Sequence, residues 1–206
     1  MKVVLIHGLY MHGVTMMPIK KILERHGHHT LNITYNTLTP DVGVIFGQID
    51  DYLKGESEAA IVAHSMGGII TRAYLDAGSE QSKLVKKVIT LGSPHKGAKL
   101  AGFFKSIGMG WAMHKSQQYL LPNDDAEWNH DAQLYSLAGN LPIGAANLFV
   151  RGESDGTVLV AETRIPGMTG HEVFPLTHFS LLWASEIKKR ILVVLDSPPM
   201  KAAVNE

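Results

Sequence analysis

The sequence predicts an α/β fold: a mainly parallel sheet of about six strands flanked by helices, with a helical, lid-like insertion. Three observations lead there. Short apolar runs alternate with stretches of helical period, the pattern of βαβ units. The runs themselves are rich in Val, Ile and Leu rather than alternating with polar residues, as strands covered on both faces require. Finally, 206 residues with 45% hydrophobic and only 18% charged content can bury a sizeable core without staples. No linker-like composition break divides residues 1–206, so a single domain is expected.

In order along the chain, strands are expected at 2–6, 30–34, 59–63, 87–91, 147–150 and 172–174. Helices are expected at 15–26, 42–54, 66–77 and 179–195, where apolar residues recur at helical spacing. The rhythm breaks at 94–138, a stretch carrying Phe103, Phe104, Trp111, Trp128 and several glycines. Short helices inserted there would lie over the strand ends and cover a ligand crevice. The other reading is a long connection with a small core of its own. Phe103, Phe104 and Trp111 fit either an acyl-chain wall or that core. The tail at 196–206, with Pro198 and Pro199, is expected to be frayed.

Composition narrows the function. Nineteen basic and nineteen acidic side chains cancel, which removes any global electrostatic case for nucleic acid. The absence of cysteine excludes disulfides, zinc thiolate sites and a cysteine nucleophile. No run approaches the ~18 apolar residues of a membrane-spanning helix. A strand that begins at Lys2 leaves no room for a leader, so the expected location is cytoplasmic; a mature exported chain would read the same way. His26, His28 and His29 sit between a helix end and a strand, and no carboxylate cluster completes a metal site with them. They read as a solvated turn.

The most informative segment is Ile61-Val62-Ala63-His64-Ser65-Met66-Gly67-Gly68. A buried strand runs into a serine, then small residues, then a helix, which is the context of a nucleophile elbow. Ala63 and Gly67 supply the small side chains that so tight a turn needs on either side of Ser65. The Met66 amide then lies at a helix N-terminus, where a developing oxyanion is stabilised. The first strand ends in His7-Gly8-Leu9-Tyr10, and Leu9 is the expected second amide donor. Ser65 as a plain helix N-cap is the competing reading.

A serine hydroxyl needs a general base, usually an imidazole held by a carboxylate. His95, His114, His130, His171 and His178 follow Ser65. His178 lies after the last expected strand and opens the final helix, where it can reach back to the elbow. His171 falls at the start of that strand, at the wrong end of the sheet, and the other three belong to the insertion. For the acid, Asp155 in Glu153-Ser154-Asp155-Gly156-Thr157 follows the expected strand at 147–150. Glu153 competes with it, and an Asp-Gly turn is the non-catalytic alternative.

Taken together, the chain resembles the α/β-hydrolase superfamily, and within it the small Bacillus-type minimal lipases. The resemblance rests on Ala63-His64-Ser65-Met66-Gly67-Gly68, the early His7-Gly8, Val88-Ile89-Thr90-Leu91-Gly92, and His178 followed by Leu181-Leu182. It implies an α/β-hydrolase fold with Ser65, Asp155 and His178 as catalytic triad, Leu9 and Met66 as oxyanion donors, and no cofactor or metal. The resemblance fades over 96–141, and Ser93-Pro94-His95-Lys96-Gly97 is closer to larger bacterial lipases and related esterases. The expected activity is hydrolysis of short- to medium-chain carboxylic esters, lipids among them. An acyl-carrier-protein or acyl-CoA (thio)ester hydrolase, such as a pimeloyl-carrier-protein methyl esterase, is the alternative within the class. A non-catalytic ligand-binding protein is the alternative outside it.

Between Gln81 and Asn123 stand Lys83, Lys86, Lys87, Lys96, Lys99, Lys105 and Lys115, with no acidic residue among them. They read either as a dock for an acidic acyl carrier protein or anionic lipid surface, or as a solvated face.

Overall fold

Strand β1 (Lys2–Ile6) carries four consecutive fully buried residues, Val3 to Ile6, which a strand can hide only if both its faces are covered. Strand β3 (Ala59–His64) is buried at all six positions for the same reason. These two lie side by side within a sheet that has six strands among the described residues, in the order β2-β1-β3-β4-β5-β6, every neighbouring pair parallel. The remaining strands are β2 (His29–Ile33), β4 (Val85–Leu91), β5 (Gln133–Gly139) and β6 (Gly170–Phe174). The computed structural model describes residues 1–97, 125–143 and 152–198.

Among the described residues four helices cover the sheet: α1 (Met17–Arg25), α2 (Val42–Leu53), α3 (Met66–Ala77) and α4 (Ser185–Asp196). Helix α2 starts where Asp41 Oδ1 accepts the Val44 amide at 3.1 Å, an N-cap that satisfies one orphan donor. Helix α3 stops at Gly78, whose φ of 68° is the left-handed ending that glycine permits. Ile45, Ile49, Leu53, Met66, Ile70 and Tyr74 pack α2 and α3 on one face of the sheet. Ile19, Leu23, Ile187 and Ile191 pack α1 and α4 on the other.

Three expectations need correcting. The fifth strand is β5 at Gln133–Gly139, inside the stretch read as insertion; the expected strand at 147–150 lies outside the described residues. Gln-Leu-Tyr-Ser-Leu-Ala-Gly has few strand formers, and it is pairing with β4 and β6 that makes it a strand. Trp128 belongs to the main core: it is buried beside Leu134 and Ile165, and its indole N–H donates to the Ala132 carbonyl at 2.6 Å.

The lysine stretch is also less uniform than it read. Lys87 is buried, and its ammonium donates to the Val194 and Leu195 carbonyls at 2.8 Å each and to that of Ser197. It satisfies the orphan carbonyls at the C-terminus of α4 and is not available to a partner. Lys83 pairs with Glu80 at 2.6 Å. Lys99, Lys105, Lys115, Phe103, Phe104, Trp111 and His114 lie outside the described residues. Among the described residues no helix is long and apolar enough to cross a membrane, and no group of His, Asp and Glu is arranged to hold a metal ion.

Candidate active site

The turn from β3 into α3 is strained at one residue. Ser65 has φ 53° and ψ −125°, a conformation that costs a non-glycine residue of order 1–3 kcal/mol and persists where the surroundings enforce it. Here they do: the Ser65 amide donates to the Leu91 carbonyl at 2.9 Å, and its carbonyl accepts from the Gly68 amide at 3.0 Å. A Cβ at Gly67 would sit 2.5 Å from the Ile6 carbonyl oxygen, so only glycine lets α3 begin this close to β1. The elbow thus has its small residues for a steric reason visible in the packing.

Asp155 and His178 meet at the same carboxyl edge of the sheet. His178 Nδ1 lies 2.7 Å from Asp155 Oδ2, with both residues almost fully buried. The other carboxylate oxygen accepts the Thr157 and Val158 amides at 2.9 and 2.8 Å. The backbones are joined as well, His178 N–H donating to the Asp155 carbonyl at 2.9 Å. A carboxylate accepts only, so in the neutral imidazole the proton is on Nδ1 and the lone pair is on Nε2. Asp155 reaches this point from beside the end of β5, where a Cβ at Gly139 would lie 2.8 Å from the Asp155 Cβ.

The competing residues stand elsewhere. Glu153 is exposed and accepts from Asn140 Nδ2 at 2.7 Å. His171, near the amino end of β6, contacts Thr163 Oγ1 at 2.9 Å. His95 is buried against Thr90 Oγ1 at 3.0 Å, and burial pushes its pKa down to about 3. His130 pairs with Asp76 at 3.2 Å. A cavity of about 930 Å³ runs beside Lys96, Glu153, Leu159, Arg164 and His171; Ser65, Asp155 and His178 are not among its described lining residues.

Of the two expected amide donors, Met66 is the first residue of α3, so its amide has no partner within the helix. Leu9 follows Gly8, whose added Cβ would lie 2.8 Å from the Ser65 Cβ, so the β1 loop passes directly over the serine. Tyr35 steadies that loop: its hydroxyl donates to the His7 carbonyl at 2.7 Å and its ring stacks on His7 at 4.4 Å.

Two supporting residues escaped the sequence reading. His64, just before the serine, has its ring 4.6 Å from that of His178, and its Nε2 lies 3.0 Å from the His178 carbonyl. Burial, with His178 close by, holds its pKa well below the usual range. It is therefore neutral, and it donates from Nε2, because a carbonyl can only accept. Gly92 is the other: a Cβ there would stand 2.9 Å from Asp155 Oδ2 and 3.1 Å from His178 Nδ1. Its position one residue past β4 was the available signal, since that is where a loop turns over the site.

Residues 3–138 match the PGAP1-like alpha/beta domain. The chain belongs to that family. PGAP1-like relatives with 24% and 29% identity are the GPI inositol-deacylases of Chaetomium globosum, over 86% of this chain, and of Aspergillus terreus, over 69%. The chain spans only 15% and 13% of those two proteins. Among solved structures, the PGAP1-like chain resembles Bacillus licheniformis lipase BlEst2 in its propeptide form, with TM-score 0.77 and 21% identity over 100% of this chain and 51% of that one. It also resembles Legionella pneumophila phospholipase PlaB, with TM-score 0.74 and 17% identity over 97% and 59%. These likenesses establish the α/β-hydrolase fold.

Proposed function

We propose that this PGAP1-like chain is a serine hydrolase of carboxylic esters, working through an acyl-enzyme on short- to medium-chain acyl esters carried by lipids. One observation carries the reading: a buried, doubly tethered Asp155–His178 pair at the same sheet edge as a strained serine at an elbow. Relatives named deacylase and neighbours named lipase and phospholipase support the acyl ester as substrate class.

The chemistry follows from the tautomer. His178 Nε2 takes the Ser65 proton as Oγ attacks the ester carbonyl. The Leu9 and Met66 amides stabilise the oxyanion, an effect worth several kcal/mol in such sites. His178 then returns the proton to the leaving alcohol, and a water repeats the sequence to free the acid and Ser65. Asp155 remains ionised and stabilises the imidazolium that forms in each half-reaction.

The test is turnover of p-nitrophenyl esters of increasing acyl length by the wild-type chain and by Ser65→Ala. The expected result is a maximum at short to medium length and a loss of about 10⁴-fold or more in the folded variant. A folded Ser65→Ala with near wild-type turnover would overturn the proposal.

A further inference from the structure

Three of the loops at the carboxyl edge, where the candidate site lies, differ from the rest of the surface. Residues 8–16, 34–40 and 175–184, which follow β1, β2 and β6, contain no Asp, Glu, Lys or Arg, in a chain where 18% of residues are charged. The opposite edge of the sheet is the reverse, with Lys54, Glu56, Glu58, Glu80 and Lys83 in its loops. The uncharged loops also hold up large apolar side chains. Tyr10, Val14, Phe179 and Trp183 are 64, 64, 61 and 57% exposed.

Topology puts the loops that carry these four at one edge of the sheet. Val14 lies in the single 3-10 turn Gly13–Met16 ahead of α1, and Phe179 and Trp183 flank the turn Ser180–Leu182 ahead of α4. Both helices pack on the same face of the sheet and start from its carboxyl edge. Tyr10 follows the oxyanion residue Leu9, and the Phe179 ring stands edge-on to that of His178 at 6.0 Å. Side chains of this size left in water beside a site mark an interaction surface. Tyr and Trp in particular suit the boundary between water and lipid.

We infer that this rim docks the chain onto a lipid surface, with Tyr10, Val14, Phe179 and Trp183 dipping among the lipids so that an acyl ester passes to Ser65 without crossing water. The inference rests on the lipid-ester reading above. The occupant is a lipid surface rather than an acidic carrier protein because the three loops that carry these side chains offer no cation to pair with one. Attachment is driven by buried apolar area, so it needs no anionic lipid and is insensitive to salt, unlike docking through exposed lysines.

The experiment is flotation of the Ser65→Ala chain with phosphatidylcholine vesicles at low and high salt, which separates docking from hydrolysis. The chain is expected to float equally at both. Adding Val14→Ser and Trp183→Ser should weaken vesicle partitioning by about 100-fold, while the same pair in the active chain leaves turnover of a soluble short-chain ester unchanged. Brominated lipid should quench tryptophan fluorescence, and Trp183→Phe, which keeps an apolar ring, should still float but lose that quenching. Failure to float, or flotation with anionic vesicles alone that high salt abolishes and the substitutions do not affect, overturns the inference. A dimer that these substitutions dissolve overturns it too, since the rim would then face a second copy. Absence of soluble-ester turnover in the wild type would instead count against the hydrolase reading, because flotation is measured without catalysis.

Discussion

Gly92→Ala should separate the catalytic geometry from the fold. Gly92 has φ +56°, and a Cβ there would lie 2.9 Å from Asp155 Oδ2, 3.0 Å from Leu181 Cδ1 and 3.1 Å from His178 Nδ1. Ordinary contact begins near 3.4 Å, so the Asp–His pair must retreat by a few tenths of an ångström. The left-handed backbone adds about 1–2 kcal/mol for any residue with a Cβ, which in a chain of this size lowers Tm by about 2–8 °C. Misplacement approaching 1 Å costs about 10²-fold in rate, so a smaller shift should reduce kcat by about 10- to 100-fold with KM little changed. Steady-state kinetics below the melting transition, beside a thermal scan, measures both effects. Wild-type kcat in a Gly92→Ala chain with the expected Tm loss would refute the idea that Gly92 keeps space for the pair.

Lys87→Met should destabilise the protein by about 1.5–3 kcal/mol, because the carbonyls at the end of α4 lose a charged donor, with kcat unaffected; urea unfolding and an ester assay report the two. The buried histidines predict the acid response. Burial holds His64 well below its ordinary pKa and His95 down to about 3, so the unfolded chain binds protons below pH 6.5 that the folded chain does not. Stability should then fall with pH by about 1.4 kcal/mol per unit for each such histidine, beginning near pH 6.5 and continuing for His95 to about pH 3. Urea midpoints that stay flat between pH 7 and 5 would contradict this.

The parts of the molecule that were readable in advance are those where one local requirement dominates. The buried runs at β1 and β3 and the helix from Met66 to Ala77 read directly from apolar content and period. The elbow was readable because only small residues fit where α3 meets the Ile6 carbonyl. The fifth strand was not, since Gln133–Gly139 becomes a strand through its neighbours rather than its own composition. Lys87 misled for a related reason. A lysine in a basic run reads as surface, and nothing local reveals that the end of α4, more than a hundred residues later, closes over it. The role of His64 depends on β3 meeting the loop that carries His178, which spacing along the chain does not encode.

The most direct test of the central claim is covalent. Incubation of the wild-type chain with a fluorophosphonate, followed by peptide mass mapping, should yield one phosphonyl adduct per chain, on Ser65. Labelling should vanish in Ser65→Ala and slow by orders of magnitude in His178→Ala, where nothing takes the serine proton. An adduct on another residue, or esterase turnover that persists in a chain that takes no label, would contradict the account.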